Sequence, residues 1–446
     1  MIKVVKFGGS SVASAEQFKK VKEIVSDKDR KYIVVSACGK ETHEDYKVTD
    51  LLYLCEAHAN YNVSYDDLLD KVKDKYLRIK DELKLSIDLD KEFEVIETAL
   101  KKKNASTDYL VSRGEYLTAL CMAEYLDADF ADAKDIIIFK YDGSVDMAAT
   151  SENLKKIKSD KKVVIPGFYG ALPNGTIKVM KRGGSDITGS IIANCIDADV
   201  YENWTDVNGI RVADPHIIDD PMRIPYINYS ELRGLSYMGA NVLHDDATFA
   251  VREKNIPIHI MNTNNPNNDG TVIMEDCTEI DNKQKPHTVT GITGRKNYTV
   301  ITVIKNHSST EIGFLKQLVS IFEKYRISIE SVPSTVDTFS VIVQSKLIEE
   351  CLYEVVGTIK EEIKPEEIIV EDKVALIAVV GRAMKSVPGM SGKLLSEFGR
   401  NEINIKVISQ SADELSIVVG VENKDFEKAI KCIYERFIKE EEKWWR

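Results

Sequence analysis

An internal repeat past residue 295 restricts the possible folds of this chain more than any other feature. Val300–Ile304 aligns with Leu376–Val380, and the same offset of 76 residues carries Phe339–Val343 onto Leu415–Val419. Gly313 aligns with Gly389 at this offset, without a gap. Each copy reads as strand, glycine-led helix, strand, strand and helix. The C-terminal third is therefore expected to contain two copies of one small α+β module.

Before the repeat, short apolar runs alternate with segments of helical periodicity. The runs span 4–7, 32–37, 136–139, 163–165, 200–204, 258–260 and 272–274. This alternation is typical of an α/β unit, in which a mostly parallel sheet lies between helical layers. Residues 46–127 contain no strand-like run and predict a helical excursion from the sheet. The Asn-Gly pair within Leu172–Thr176 predicts a hairpin turn.

Composition and charge argue against several classes of function. The 446 residues carry a formal net charge of −12, and apart from Lys101–Lys103 no stretch is strongly basic. No nucleic-acid partner is expected, because such binding depends on Lys and Arg that neutralise phosphates. The longest apolar runs are too short to span a bilayer, so no membrane role is expected. Seven scattered cysteines and the absence of a signal-peptide pattern favour the cytoplasm.

Two glycine turns, each with a basic residue, indicate a phosphate site. Lys6 precedes Gly8 and Gly9 after a strand-like run, and the second turn runs from Arg182 to Asp186. Glycine lets a polyphosphate approach the backbone N–H groups at a helix N-terminus, and the cations add charge. Neither turn matches the P-loop or the dinucleotide fingerprint. Taken alone, either turn is also compatible with an ordinary strand-to-helix connection.

Together with the motifs between them, these turns resemble the aspartate kinase family, which has the amino-acid kinase fold. The matching segments lie at 6–12, 34–37, 113–115, 167–170, 182–186 and 205–209, and the repeats look like ACT domains. The resemblance implies a catalytic domain over 1–285, with a nucleotide-binding half at about 190–280. It implies ACT modules at 295–370 and 371–446.

The implied reaction transfers the γ-phosphoryl group of ATP to the β-carboxylate of L-aspartate. The products are ADP and 4-phospho-L-aspartate, and the step begins lysine, threonine and methionine biosynthesis. A carboxylate is ionised at neutral pH, so its attack needs no general base. Positive charge and oriented N–H groups would supply most of the rate enhancement. The implied cofactors are ATP and Mg²⁺, the metal arriving with the nucleotide rather than at a protein-only site.

The resemblance also assigns roles to individual residues. Lys6, Gly8 and Gly9 would contact the phosphoryl group in flight, Asp186 would hold Lys6 or the metal, and Arg182 would clamp a carboxylate of aspartate. Glu115 would pair with the substrate ammonium. The other pocket residues would be Ser36, Thr49, Phe168 and Ser185, and the other nucleotide-binding residues Thr205, Asp206, Arg211, His216 and Asn241.

The chain departs from the family pattern near the nucleotide. Asn241 stands where the family has a lysine that contacts nucleotide phosphate, Asp245 replaces a proline, and His216 stands where arginine is frequent. Loss of a phosphate cation should weaken ATP binding. Arg211, Lys178 or Lys181 would be candidates to compensate.

The repeats imply regulation by an amino acid bound between paired ACT modules, and a homodimer or a dimer of dimers. The corresponding positions are Gly313, Phe314, Leu315, Ser328, Ile329, Glu330, Ser334 and Thr335. The carboxylate of Glu330 would suit the ε-ammonium of lysine, so L-lysine is the favoured effector and L-threonine the second. The alternative for Glu330 is an exposed carboxylate at a strand end.

Two other functions stay open at this point. One is a kinase of the same fold with another substrate, which would explain the glycine turns but not the paired repeats. The other is a catalytically decayed amino-acid sensor, supported by Asn241 and Asp245 and opposed by Lys6, Arg182 and Asp186. A fusion with homoserine dehydrogenase is not expected, because the chain has no dinucleotide fingerprint.

Overall fold

The computed structural model describes residues 1–42, 44–102, 106–181, 183–240, 243, 246–283, 286–308, 311–410 and 412–440. The chain forms two compact units. The N-terminal unit contains residues 1–210, 223–229 and 241–277, and the C-terminal unit contains 211–222, 230–240 and 278–446. Residues 211–222 and 230–240 thus cluster with the repeats, although they lie within the segment that we assigned to the catalytic domain.

The N-terminal unit is built around an eight-stranded sheet. In chain order its elements are β1 (Lys3–Phe7), α1 (Ala15–Ile24), β2 (Arg30–Val35), α2 (Val48–Asn60), α3 (Asp66–Leu83), α4 (Leu89–Lys102), α5 (Thr107–Leu126), β3 (Asp129–Phe130), α6 (Ala133–Ile136), α7 (Met147–Lys156), β4 (Val163–Pro166), β5 (Tyr169–Ala171), β6 (Ile177–Val179), α8 (Gly184–Cys195), β7 (Val200–Thr205), β8 (Tyr226–Asn228), α9 (Tyr229–Tyr237), α10 (Asp246–Glu253), β9 (Ile258–Asn262) and β10 (Thr271–Met274). Most of α9 belongs to the C-terminal unit.

The strand order is β3-β4-β2-β1-β7-β9-β10-β8, and every pair except β9–β10 is parallel. The central strands are almost completely buried, as strands covered by helices on both faces should be. This confirms the predicted α/β class. Helices α2 to α5 form the predicted helical excursion, and β5 and β6 pair as the predicted hairpin.

One predicted strand is wrong. The apolar run 136–139 begins at the last residue of the short helix α6 and makes only isolated bridges, from Ile138 to Ala171 and from Phe139 to Val145. Its side chains are buried at 136, 137 and 139, so the run packs in the core without joining a sheet.

The C-terminal unit carries the repeat. Its elements are α11 (Thr278–Lys283), β11 (Gly291–Ile304), α12 (Phe314–Lys324), β12 (Ile329–Ser331), β13 (Thr338–Gln344), α13 (Ser345–Ile348), α14 (Leu352–Glu362), β14 (Glu367–Val380), α15 (Met390–Arg400), β15 (Val407–Gln410), β16 (Ser416–Glu422) and α16 (Phe426–Tyr434). One antiparallel sheet, in the order β12-β13-β11-β14-β16-β15, joins both copies through β11 and β14.

The glycines that lead the repeated helices have the same role in both copies. Gly313 and Gly389 cap α12 and α15 with φ of +87° and +80°, a left-handed backbone that favours glycine. Each copy has the order strand, helix, strand, strand, helix. A short turn precedes the last helix in both copies, α13 in the first and a 3-10 turn at Asn423–Asp425 in the second. None of the described helices combines the length and apolar character that crossing a bilayer requires.

Candidate active site

A cavity of about 620 Å³ opens at one edge of the parallel sheet in the N-terminal unit. Phe7 pairs in register with Val35 and with Trp204, so β1, β2 and β7 end side by side. The segments that follow these strand ends meet at this edge, which is where ligands bind in open α/β sheets. The cavity is lined by Gly8, Gly9, Ser10, Ser36, Ala37, Cys38, Gly39, Lys40, Glu41, Thr42, Lys47, Thr49, Glu115, Thr205 and Asp206. Seven predicted site residues are among them.

The first glycine turn packs against the loop that follows β2. The N–H of Gly39 donates to the carbonyl of Gly9 at 2.9 Å, and a Cβ added to Gly39 would lie 2.5 Å from the carbonyl carbon of Gly9. No side chain fits between these backbones. The N–H of Gly8 donates to the carbonyl of Trp204 at 3.0 Å and is engaged by the sheet. The cavity wall is thus formed by two backbones in direct contact.

Lys6, Asp186 and Asn203 form a polar triad beside this turn. Lys6 on β1 is nearly buried, and its Nζ lies 2.6 Å from Oδ1 of Asp186, at the start of α8. Nδ2 of Asn203 donates to the same oxygen at 2.8 Å. Lys6 and Asn203 are register neighbours on β1 and β7, so one carboxylate reaches both. Nζ of Lys6 lies 3.5 Å from where a Cβ on Gly8 would stand, which puts the ammonium at the glycine turn.

Glu115 on α5 presents a buried carboxyl group to the cavity. Its Oε2 has no hydrogen-bond partner among the residues that the structure describes, and the side chain is only 4% exposed. Burial raises its pKa to about 8, partly offset by the backbone of Ala37 and by Arg113. A buried carboxyl oxygen without a hydrogen-bond partner destabilises the folded protein, particularly when the group is ionised. A cation bound in the cavity would stabilise the ionised form. The site therefore has a place for a positively charged group of a ligand.

Helix α5 comes close enough to present Glu115 because the preceding residue is glycine. A Cβ on Gly114 would lie 2.8 Å from Cβ of Ala37 and 3.2 Å from Val48. Arg113, in contrast, stacks on the rings of Tyr109, Tyr116 and Tyr169 with its guanidinium carbon 4.3 to 5.6 Å from their centroids. Of the Arg113-Gly-Glu115 motif, only the glutamate lines the cavity.

Phe168 sits in a strained turn next to the second glycine motif. Its φ of +75° is unusual for a bulky residue, and its N–H donates to Oγ1 of Thr188 at 3.0 Å. A Cβ on Gly184 would lie 2.6 Å from the Phe168 ring, and one on Gly167 would lie 2.7 Å from Ser185. These contacts hold the start of α8, and with it Asp186, against the end of β4.

Several predicted residues lie elsewhere. Arg211 and His216 fall in the C-terminal unit, where Arg211 binds the Pro221 carbonyl and His216 binds Asp214. Lys178 lies 3.5 Å from a carboxylate oxygen of Asp108, so two of the proposed compensating cations already have partners. Lys181 is exposed. Arg182, Asn241 and Asp245 lie outside the described residues.

The predicted regulatory residues all belong to the C-terminal unit. Phe314 is buried and packs on Phe339, Leu315 is exposed, and Ile329 and Glu330 form β12. Ser328 precedes this strand, and Ser334 and Thr335 precede β13. Oε1 of Glu330 is buried with no hydrogen-bond partner among the described residues, and burial raises its pKa, partly offset by Tyr237 and Arg295.

Several polar residues of the site were not predicted, among them Asn203, Lys40, Glu41, Thr42 and Lys47. Asn203 could have been suspected as a polar residue within a buried apolar strand. Lys40 and Lys47, which line the cavity, have no sequence signal beyond their proximity to Thr49. Within the described part of the chain, no group of three His, Cys, Asp or Glu side chains is placed to hold a metal ion.

Comparison with known proteins fits this geometry. The amino acid kinase family model matches residues 1–262, and an ACT domain model matches 377–437. Aspartokinase 3 of Bacillus subtilis (strain 168) is 35% identical over 98% of both chains. The chain belongs to the aspartokinase family. A more distant member, aspartokinase of Saccharomyces cerevisiae (strain ATCC 204508 / S288c), is 26% identical over 98% of this chain and 93% of the relative.

Solved structures of aspartokinases have the same fold. Aspartate kinase of Clostridium acetobutylicum, described as an allosteric enzyme, superposes with a TM-score of 0.91 at 44% identity and covers 98% of this chain and 100% of its own. Escherichia coli aspartokinase III in complex with aspartate and ADP has a TM-score of 0.74 at 22% identity, covering 98% of this chain and 99% of its own. The likeness to the first structure confirms the predicted family, and both confirm the fold.

Proposed function

We infer that this aspartokinase transfers the γ-phosphoryl group of ATP to the β-carboxylate of L-aspartate. The observation that carries this inference is the buried Oε2 of Glu115, which has no hydrogen-bond partner among the described residues and lies in the same cavity as the Gly8–Gly9 turn after Lys6. The cavity thus offers a place for the ammonium of an amino acid next to a place for phosphate. Asp206 and Thr205 line the same cavity and are proposed to face the nucleotide.

Lys6 is proposed to stabilise the phosphoryl group during transfer. Its ammonium would neutralise charge on the phosphoryl oxygens, together with the amides that follow Gly8. Asp186 and Asn203 would hold the ammonium in place. Mg²⁺ is proposed to enter with the phosphates of ATP and to reduce their negative charge, with the Asp206 carboxylate available beside them.

Glu115 is proposed to bind the α-ammonium of aspartate. The ligand cation would lower the pKa of the buried carboxyl group, so the carboxyl group loses its proton as aspartate binds. Ser36, Thr49 and Phe168 would shape the pocket with Ser185, and Arg182 would clamp a substrate carboxylate.

A substrate panel tests the proposed reaction. With hydroxylamine present, an acyl phosphate is trapped as its hydroxamate, which separates carboxyl phosphorylation from simple ATP hydrolysis. We expect hydroxamate and ADP in equal amounts with L-aspartate, and none above background with L-glutamate, N-acetyl-L-glutamate or carbamate. Turnover with one of the other substrates instead would favour another kinase of this fold. No turnover with any of them would favour the decayed sensor.

L-Lysine is proposed as the feedback effector, bound at the first ACT module with its ε-ammonium at Glu330. E. coli aspartokinase III has been solved in complex with lysine and aspartate, at 22% identity to this chain. We expect lysine to inhibit the wild type, and Glu330→Gln to raise the inhibitory concentration at least tenfold with unchanged basal turnover. Inhibition by L-threonine alone would reject this choice.

Assembly and location are proposed on the same basis. Paired ACT modules imply a homodimer or a dimer of dimers, which light scattering with and without lysine would resolve. A cytoplasmic location is proposed from the scattered cysteines.

A further inference from the structure

We propose that Lys75, on the helical excursion, is a positioning residue for phosphoryl transfer. It acts by holding the backbone of Gly39 against the Gly8–Gly9 turn. The proposal rests on the function inferred above, and it gives α3 a role at the site that the sequence motifs do not include.

Lys75 is a buried cation whose contacts lie at the cavity loop. Its side chain is 4% exposed, on a helix whose other buried residues are Leu69, Val72, Tyr76 and Ile79. Its Nζ donates to the carbonyl of Gly39 at 2.5 Å and to Oδ2 of Asp45 at 2.5 Å. An ammonium is costly to bury unless it is paired and hydrogen-bonded. Gly39 and Asp45 of this loop supply the hydrogen bond and the ion pair for Lys75.

Gly39, which Lys75 contacts, is itself hydrogen-bonded to the glycine turn that we propose to bind phosphate. The carbonyl of Gly39 accepts from Lys75, and the N–H of the same residue donates to the Gly9 carbonyl. The two glycine backbones touch without space for a side chain. Gly9 in turn follows Gly8, next to which the Lys6 ammonium lies. A displacement of Gly39 therefore moves the turn that we propose to bind the phosphoryl group.

The Lys75 ammonium also contacts both ends of the loop after β2, which brings Lys40 to the cavity. The Asp45 carboxylate accepts the N–H of Glu41 at 2.9 Å and that of Tyr46 at 2.7 Å, in addition to Lys75. Lys75 thus ties both ends of the segment 39–45. Lys40 lies within this segment and Lys47 just after it, and both line the cavity.

The test is steady-state kinetics of aspartate-dependent ADP release with Lys75→Met, Lys75→Arg and a control on the same helix. Lys73→Met is the control, because Lys73 pairs with Asp90 at 2.9 Å and is partly exposed. We expect Lys75→Met to lower kcat by about 10- to 100-fold, since small misplacements of reacting groups cost about that much. KM for aspartate should change less. Lys75→Arg should recover most of kcat, and Lys73→Met should stay within twofold of the wild type.

A second variant keeps the test decisive if Lys75→Met fails to fold. Asp45→Asn keeps an acceptor oxygen but removes the charge, at a partly exposed position. This variant should also lower kcat, but by a smaller factor than Lys75→Met. Hydrogen exchange of peptides spanning 36–48 should become faster.

The proposal is overturned if folded Lys75→Met has the kcat of the wild type, or if Lys73→Met loses as much. It is also overturned if Lys75→Met does not fold and Asp45→Asn has wild-type kinetics and exchange. A wild type without aspartate-dependent turnover would reject the proposed function instead, so the two failures are distinguishable.

Discussion

Replacing Glu115 with glutamine should stabilise the enzyme and prevent it from binding aspartate. Burial raises the pKa of this carboxyl group from an ordinary 4.5 to about 8. Between these values the folded protein keeps a proton that the unfolded chain releases. The unfolded state then binds fewer protons, so the free energy of unfolding falls as pH rises through this window. Each pKa unit corresponds to about 1.4 kcal/mol. Between the ordinary pKa and pH 7, the free energy of unfolding should therefore fall by about 3 kcal/mol because of this group.

Glutamine has the same shape and does not titrate, so Glu115→Gln should not show this loss. Urea unfolding of the two proteins should give similar free energies at pH 5. At pH 7 the variant should be more stable by up to about 3 kcal/mol, less the smaller cost of burying an amide. The difference between the two pH curves cancels the contributions of all other groups.

Ligand addition completes the test. L-Aspartate should raise the stability of the wild type and not that of the variant, and KM for aspartate in the wild type should fall as pH rises toward 8. Parallel pH curves for the two proteins would refute the argument from burial. Equal stabilisation by aspartate would refute the ammonium site.

Three further predictions concern the supports of the site and of the regulatory unit. Gly39→Ala should lower the free energy of unfolding by about 1 to 3 kcal/mol and should lower kcat/KM, because its Cβ would overlap the Gly9 backbone. As a control, Gly357→Ala at an uncrowded helix position should raise the free energy of unfolding by about 0.5 to 1 kcal/mol. Asn203→Leu should lower kcat about tenfold with little change in KM, because Asp186 loses a donor beside Lys6; an unchanged kcat would remove Asn203 from the triad. Arg382→Leu should cost about 3 to 5 kcal/mol in chemical denaturation, because it removes the guanidinium that pairs with the fully buried carboxylate of Glu231. The double variant with Glu231→Gln should recover part of this loss, and a small loss in the single variant would contradict the argument.

The motifs of the chain predicted the class of fold and seven of the fifteen residues that line the cavity. Lys6 and Asp186 are far apart in sequence, yet each stands in a recognisable glycine turn, and the structure places them 2.6 Å apart. Gly313 and Gly389 occupy the same place in the two repeats and therefore indicated two modules. Both positions need a left-handed backbone, which glycine adopts without strain. Local chemistry of this kind is visible in a single sequence.

What could not be predicted depends on long-range pairing. Asn203 meets Asp186 only because β1 and β7 pair with Lys6 opposite Asn203. The helical spacing of α3 indicates which face is buried but not that Lys75 on that face meets Gly39. The run 136–139 has the composition of a strand, but its neighbours offer only isolated bridges. In each case the deciding contact comes from a distant part of the chain.

The most direct test of the central claim is hydroxamate formation by Lys6→Met compared with Lys3→Met, in Mg-ATP, L-aspartate and hydroxylamine. Both lysines are on β1, but Lys3 is the first residue of the strand and contacts Asp27 and Glu202. If Lys6 stabilises the transferred phosphoryl group, its variant should lose about 10²- to 10³-fold in kcat while remaining folded by circular dichroism, and Lys3→Met should stay within about threefold of the wild type. A folded Lys6→Met with wild-type turnover would contradict the account.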